Sequence, residues 1–349
     1  MRFHVISLPH TQTKTEFSSC AFTQDVIGFC KMMKGLGHTV FLYAGAENEA
    51  PCDELVTCIR PEQHPDIGHY TQASFDWKLP HWVLFNTNVI EEIRSRAEPH
   101  DFICVIGGKA HKEIADAFPH MMTVEFAIGY GGTFAKYRVW KSYAWMHACY
   151  GSTNTNTNAI DGQWFDAVIP GYLDPAMFPF KETKDNYYLF IGRLTDRKGF
   201  QIAADVCEKL GERLIIAGPG APPKYGAYIG VVGPEDRGRL LAGAKAVFAP
   251  TQYIEPFGMV AIEAMACGTP VITTDWGAFV ETNIHGVTGF RCRTFGEFCQ
   301  AAKEVLRLDP ERIRAHAMSY SLDAIAPKYD AYFKRLGTLW GQGWYAAHY

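Results

Sequence analysis

The chain is 349 residues long, 48% apolar and 20% charged, with a formal net charge of −4. A chain of this length and ordinary globular composition exceeds what one hydrophobic core commonly holds, which predicts two folded domains and argues against disorder. Residues 1–170 carry 13 Lys and Arg against 18 Asp and Glu, a net of −5, while the rest nets +1; with no basic cluster in the first half, nucleic acid and acidic membrane surfaces are disfavoured as partners. The opening Met1–Glu16 has one arginine and a short apolar run, without the length or cleavage site of a secretory signal, and no stretch of about 18 uncharged apolar residues occurs. A cytoplasmic location is the expectation. The ten cysteines are irregularly spaced, with no C-x-x-C pair or Cys/His cluster, and read as buried or idle thiols rather than metal ligands.

In chain order, Arg2–Leu8 reads as a strand, Ala21–Leu36 as a helix ended by Gly37-His38, and Thr39–Ala44 as the next strand, together one βαβ unit. A polar stretch with Pro51, Pro61 and Pro65 follows. Phe102–Ile106 has a buried-strand pattern, then come Gly107-Gly108 and a helix near Lys109–Phe118. Aromatic residues are dense from Tyr130 to Tyr150; Tyr137, Trp140, Ala144 and His147 have the spacing of a core-facing helical stripe, and the same aromatics could serve as stacking platforms for a sugar. The Ser152–Asn158 run, rich in Ser, Thr and Asn, precedes a strand at Phe165–Ile169, and the domain switch falls at about residues 170–185.

Strands at Tyr187–Ile191, Arg213–Ala217, Tyr228–Val232, Ala246–Ala249 and Pro270–Thr273 then alternate with helices near Lys198–Leu210, Glu235–Ala244 and Phe257–Cys267. From Glu297 onward the pattern is helical, with Pro310 and Pro327 marking starts. The predicted fold class is α/β, two Rossmann-like αβα domains facing one another across a cleft. The domains expected are residues 1–170 and 171–325, with a last helix over 326–349 that can cross back to the first.

Ligands of open parallel sheets sit beyond the carboxyl ends of the strands, so the strand-to-helix turns hold the informative residues. The first turn is Gly192–Gly199 (GRLTDRKG), predicted to open a helix near Lys198. A helix N-terminus carries partial positive charge, so Arg193, Arg197 and Lys198 gathered there need an anion among them, and a diphosphate would supply it. The plainer reading is that they extend into solvent or pair with carboxylates. The second turn opens the run Glu255–Glu263 (EPFGMVAIE), where Pro256 and Gly258 shape a bend and the following helix points the amides near Phe257, Gly258 and Met259 towards a ligand. Glu255 precedes that helix and Glu263 lies about 1.5 turns inside it. Ionised carboxylates only accept hydrogen bonds, which suits vicinal sugar hydroxyls, and a glutamate in so apolar a helix needs a partner. Either glutamate alone could equally be a solvated residue at an ordinary helix start.

With these residues in view, residues 187–291 resemble the donor-binding half of the retaining GT-B glycosyltransferases of family 4. The resemblance rests on G-R-L-x-x-x-K-G (Gly192–Gly199), E-x7-E (Glu255–Glu263), the A-C-G-T-P-V turn, G-A-F-V-E (Gly277–Glu281) and H-G-V-T-G-F (His285–Phe290). Val168–Asp174 with Phe178 is similar to an interdomain element of the family, departing from it at Gly171 and Tyr172. The resemblance implies that Gly192, Arg193 and Lys198 hold a diphosphate and that Glu263 holds the ribose. It assigns the sugar and phosphates to Glu255 with the amides of Phe257, Gly258, Met259 and Val260, and the base to the turn at Val232-Gly233. It implies a nucleotide-sugar donor, UDP-sugar favoured over GDP-sugar, and front-face transfer in which the leaving phosphate helps deprotonate the acceptor hydroxyl.

The N-terminal half departs from the family: Pro9–Thr13 stands where relatives carry a glycine pair. His111, after Gly107-Gly108, falls near the place of a histidine that faces the reacting sugar, and is the acceptor-side catalytic candidate beside His10, Thr11 and Tyr130. An ordinary surface histidine at a helix start reads equally well. No Asp-x-Asp pair or cluster of hard oxygen ligands occurs, so neither metal nor cofactor is expected, and Arg193 and Lys198 with helix dipoles would stabilise the leaving diphosphate. The acceptor stays open between a glycan, a lipid carrier, a small molecule and a modified nucleobase, and the oligomeric state is not readable. A sugar-nucleotide epimerase and a non-catalytic nucleotide-sugar binding protein are the alternatives.

Overall fold

The computed structural model describes residues 1–17, 19–63, 75–153 and 160–346. The described residues form two compact units, one drawn from Met1–Lys141, Ala159–Pro170 and Leu322–Tyr349, the other from Ser142–Asn158 and Gly171–Ser321. The first unit has a seven-stranded sheet of β1 (Arg2–Ile6), β2 (Thr39–Gly45), β3 (Glu54–Ile59), β4 (Phe102–Val105), β5 (Met122–Ile128), β6 (Tyr137–Trp140) and β7 (Asp166–Val168). Every pairing is parallel and the order is β3-β2-β1-β4-β5-β6-β7. Strands β1 and β4 are buried almost end to end, as central strands covered on both faces must be. Helix α1 (Ala21–Gly35) turns Val26, Phe29, Cys30 and Met33 inward, and α2 (Pro80–Arg94) buries Trp82, Phe85, Val89 and Ile93. Short α3 (Lys112–Ala117) follows β4.

The second unit repeats the plan with six parallel strands: β8 (Tyr188–Ile191), β9 (Leu214–Ala217), β10 (Ala227–Tyr228), β11 (Val247–Ala249), β12 (Val271–Thr274) and β13 (Gly289–Cys292), in the order β10-β9-β8-β11-β12-β13. The unit also holds α4 (Tyr143–Thr153), α5 (Phe200–Leu210), α6 (Pro234–Gly243), α7 (Met259–Ala266), α8 (Phe279–Thr282), α9 (Phe295–Glu304) and α10 (Pro310–Met318). Helix α9 opens on a capping box of Thr294 and Glu297, and α10 on Asp309 with Pro310 in its first turn. The long α11 (Leu322–Ala346) belongs to the first unit, where Phe333 lies 4.7 Å from Phe3 and Trp340 lies 4.5 Å from Phe102, ring centre to ring centre.

Several sequence expectations need correction. The predicted helix at Lys109–Phe118 is a 3-10 turn, Gly108–His111, followed by α3. The strand expected to reach Val232 stops at Tyr228. Pro327 lies inside α11 instead of starting a helix. Tyr137 and Trp140 are on strand β6 and Ala144 and His147 on α4, so the four do not share a helical stripe. Most of the Ser152–Asn158 run, and Pro65, lie outside the described residues. Helix α4 groups with the second unit, not with residues 1–170: Ser142 Oγ donates to the Pro256 carbonyl at 2.7 Å, and Glu281 accepts the N–H groups of Tyr143 and Ala144 at 3.1 and 2.7 Å. A carboxylate there satisfies amides that open the helix.

Candidate functional site

In the second unit the strand order reverses between β8 and β11, which pair directly, and each ends in one of the two turns singled out from the sequence. Past Gly192 the chain makes a 3-10 turn, Asp196–Lys198, and Gly199 at φ 72° separates that turn from α5. The helix therefore starts at Phe200, two residues later than expected, and the cations are not stacked on its N-terminus. Gln252 joins the two turns: its N–H donates to the Arg197 carbonyl at 2.8 Å and its side-chain amide to the Asp196 carbonyl at 3.0 Å.

The three cations divide their work. Lys198 Nζ lies 2.8 Å from Glu255 Oε2 and 5.0 Å from the centre of the Tyr253 ring, against which Arg197 also packs. Burial pulls the Lys198 ammonium down, but the attraction of Glu255 and the contact with Tyr253 outweigh it, so its pKa is raised and the lysine stays charged. Burial, then Glu255, pushes the Tyr253 phenol up. Arg193 is exposed, and its side chain has no hydrogen bond or ion pair among the described residues. One cation is thus pre-positioned by a carboxylate and a second is available to an anion.

Glu255 is buried, and its carbonyl accepts the N–H of Ala278 at 2.9 Å. Gly258 caps α7, which begins at Met259, so Phe257 and Gly258 precede the helix predicted to include Phe257. Phe257 packs edge-on to Tyr320 at 5.7 Å, and Val260 is half-buried in the first turn. Gly171 departs from the family element for a local reason: a Cβ there would stand 2.6 Å from the Phe257 ring. Glu263 has the partner its apolar helix required, because Arg237 Nε donates to its Oε2 at 2.8 Å and Nη2 reaches the same oxygen. Val232 and Gly233 lie just before α6, with Gly233 as its N-cap.

In the first unit the order reverses between β1 and β4; His10 and Thr11 follow β1, His111 follows β4, and Tyr130 comes after the neighbouring β5. His10 is buried beside Phe75 and Trp82, and Thr11 Oγ1 lies 2.7 Å from Thr23 Oγ1. His111 is wholly buried, which removes the surface-residue reading. The Gly107 N–H donates to its Nδ1 at 3.2 Å, so a neutral ring carries its proton on Nε2, and that nitrogen has no hydrogen-bond partner among the described residues. Burial, reinforced by His10, lowers the His111 pKa to about 3. His111 is therefore a neutral donor at working pH, with an N–H that a substrate oxygen could satisfy.

Sequence reasoning missed Arg237, Glu125 and the buried pair Asp25–Lys141, whose Oδ2 and Nζ are 2.5 Å apart. For Glu125 the available signal was a lone charge in an apolar run, MTVEFAI. Glu125 is fully buried on β5, accepts the N–H groups of Phe134 and Ala135 at 2.9 Å each, and lies 3.5 Å from the half-buried Tyr130 hydroxyl. Burial outweighs those bonds and pushes its pKa up to about 7 from an ordinary 4.5. Between those values the folded chain binds more protons than the unfolded one, so stability should fall as pH rises. Glu125→Gln should remove that slope, which is on the order of a few kcal/mol between about pH 5 and pH 8. Urea unfolding of both chains at the two pH values measures it, and identical slopes would refute the assignment.

Among the described residues no helix is long and apolar enough to cross a membrane, and no three or more His, Cys, Asp or Glu gather as a metal-ligand group. All ten cysteines are free and none is exposed.

Residues 177–320 match the family model described as glycosyl transferases group 1. An uncharacterized glycosyltransferase of Methanocaldococcus jannaschii is 36% identical over 118 residues, 29% of this chain and 30% of that protein. The matches span less than half the length of the first curated relatives. AviGT4, a glycosyltransferase involved in avilamycin A biosynthesis, superposes with a TM-score of 0.73 at 20% identity, covering 97% of this chain and 98% of its own. HepE of Anabaena, in complex with UDP and glucose, gives 0.67 at 15% identity over 96% and 99%. At such identities these two structures speak for the fold alone: two Rossmann-like parallel-sheet units, as in GT-B glycosyltransferases. Residues 177–320 are thus similar to the glycosyl transferases group 1 family over the greater part of the second unit.

Proposed function

We propose that the chain is a retaining glycosyltransferase that moves a sugar from a nucleotide-diphosphate sugar, UDP-sugar in the first instance, to a hydroxyl acceptor without a metal ion. The observation that carries the reading is the Lys198–Glu255 ion pair, with Arg193 in the same turn making no ion pair among the described residues, at the β8/β11 switch point within the family-matched segment. The UDP preference draws support from HepE, bound to UDP and glucose. Arg193 and Lys198 take the diphosphate and stabilise the charge that grows on it as the glycosidic bond breaks. Glu263 accepts from the ribose, Val232-Gly233 contacts the base, and Glu255 with the Phe257–Val260 backbone meets the sugar and phosphates. His111 donates its Nε2–H to a substrate oxygen. The leaving phosphate takes the acceptor proton on the face it departs from, which keeps the anomeric configuration. Incubation with UDP-glucose and other donors, followed by NMR of the anomeric proton, tests the reading: transfer or slow hydrolysis with retention supports it, an epimer or an inverted product overturns it.

Two further results are expected. Treatment with a chelator should leave turnover nearly unchanged, because fixed cations occupy the role a divalent ion would fill; activity lost to chelator and restored by manganese would contradict this. Glu263→Ala should weaken binding of the free nucleoside diphosphate, whereas Glu255→Ala should spare that affinity and lower turnover of the intact donor. Calorimetric titration of both variants separates the roles, and equal losses of nucleotide affinity would remove them.

A further inference from the structure

We infer that Arg237 is a positioning residue that fixes Glu263 for the ribose and ties that contact to the base-side turn; the inference rests on the assignment of Glu263 to the ribose made above. Both Arg237 contacts, from Nε at 2.8 Å and from Nη2, fall on the same oxygen, Oε2. Oε1 has no hydrogen bond among the described residues and remains an acceptor for a hydroxyl. The neighbours of Glu263 on α7, Ile262, Ala264 and Met265, are fully buried, so no other polar group of that helix fixes its rotamer. A planar guanidinium gripping one oxygen does so.

Arg237 has a second attachment. Its own N–H donates to the Gly233 carbonyl at 2.9 Å, one helical turn back, at the residue that caps α6. One residue therefore holds the turn assigned to the base by its main chain and the carboxylate assigned to the ribose by its side chain. The arrangement makes the α6 N-terminus a strut: a nucleoside that seats its base displaces the turn only by moving the ribose ligand as well.

The test titrates the full chain with whichever of UDP and GDP the wild type binds, and with its 2′,3′-dideoxy form, using Arg237→Ala, Arg237→Lys, Glu263→Ala and the double alanine variant. Arg237→Ala should bind the nucleotide about tenfold more weakly. The double variant should be no weaker than Glu263→Ala alone, and the dideoxy nucleotide should bind wild type and Arg237→Ala alike. Additive losses in the double variant, or an undiminished loss with the dideoxy form, would mean that Arg237 touches the nucleotide itself and would overturn the inference. Thermal unfolding monitors the fold; should Arg237→Ala unfold, Arg237→Lys keeps a cation opposite Glu263 without the planar fork and must still bind more weakly than wild type. Loss in Glu263→Ala with none in either Arg237 variant refutes only the positioning role. A wild type that binds neither nucleotide, or a Glu263→Ala that binds like wild type, refutes the ribose assignment first.

Discussion

Replacing Lys198 with alanine is expected to lower kcat about a hundredfold or more, the scale on which one preorganised electrostatic donor acts. Bond breaking moves negative charge onto the phosphate, so a fixed ammonium interacts more strongly as the reaction proceeds than it does with bound donor. The geometry adds a second contribution. Lys198 is held at 2.8 Å by Glu255, which is itself buried, so the alanine variant also strands a carboxylate without its counter-charge. Lys198→Ala/Glu255→Gln separates the two effects, because glutamine carries no charge to strand. If the double variant turns over no more slowly than Glu255→Gln alone, Lys198 serves only to neutralise Glu255. If Lys198→Ala raises KM and leaves kcat alone, the lysine anchors the donor and has no role in departure of the leaving group.

A large loss of stability is expected from Gly199→Ala. Gly199 has φ 72°, and a Cβ there would stand 2.1 Å from the Pro250 carbonyl oxygen and 3.0 Å from its carbon. Those are backbone atoms at the end of β11, so relief requires moving one of the two turns that frame the site. Left-handed strain costs about 1–2 kcal/mol, and the forced displacement should bring the total to roughly 3 kcal/mol or more. The melting temperature should fall by about 10 °C. Gly211 is the control: at φ 68° it has nothing within 4 Å of a Cβ, so Gly211→Ala bears the conformational cost alone. Equal melting temperatures for the two variants would show that contact with Pro250 does not matter.

Much of the second unit was legible because its strands are continuous apolar runs broken by glycine and proline. The turns at Gly192–Gly199 and Glu255–Gly258 fall where such runs end, which is why their residues could be named in advance. The first unit was read less well. Helix α2 carries Trp82, Phe85, Val89 and Ile93 at helical spacing, but His81, Asn86 and Asn88 and the surrounding prolines masked the stripe. At β5 a single buried charge, Glu125, interrupts an otherwise plain strand pattern, and that was enough to hide the strand. What the spacing could not give was pairing. That Lys198 meets Glu255 and Arg237 meets Glu263 depends on which strands lie adjacent, and that is a property of the sheet order rather than of any local run.

The division of the chain into units is discontinuous, and this bears on how it acquires its structure during synthesis. Chains emerge N-terminus first, at about 5–20 residues per second, and domains tend to fold as they become complete. The segments of the second unit have all been made by Ser321, whereas the first unit still lacks α11. Until that helix arrives, Phe3, Phe29 and Phe102 lack the rings of Tyr329, Phe333 and Trp340 that pack against them. The half of the protein translated first is therefore the half finished last, and its exposed aromatic face is the part of the nascent chain that a chaperone would shield.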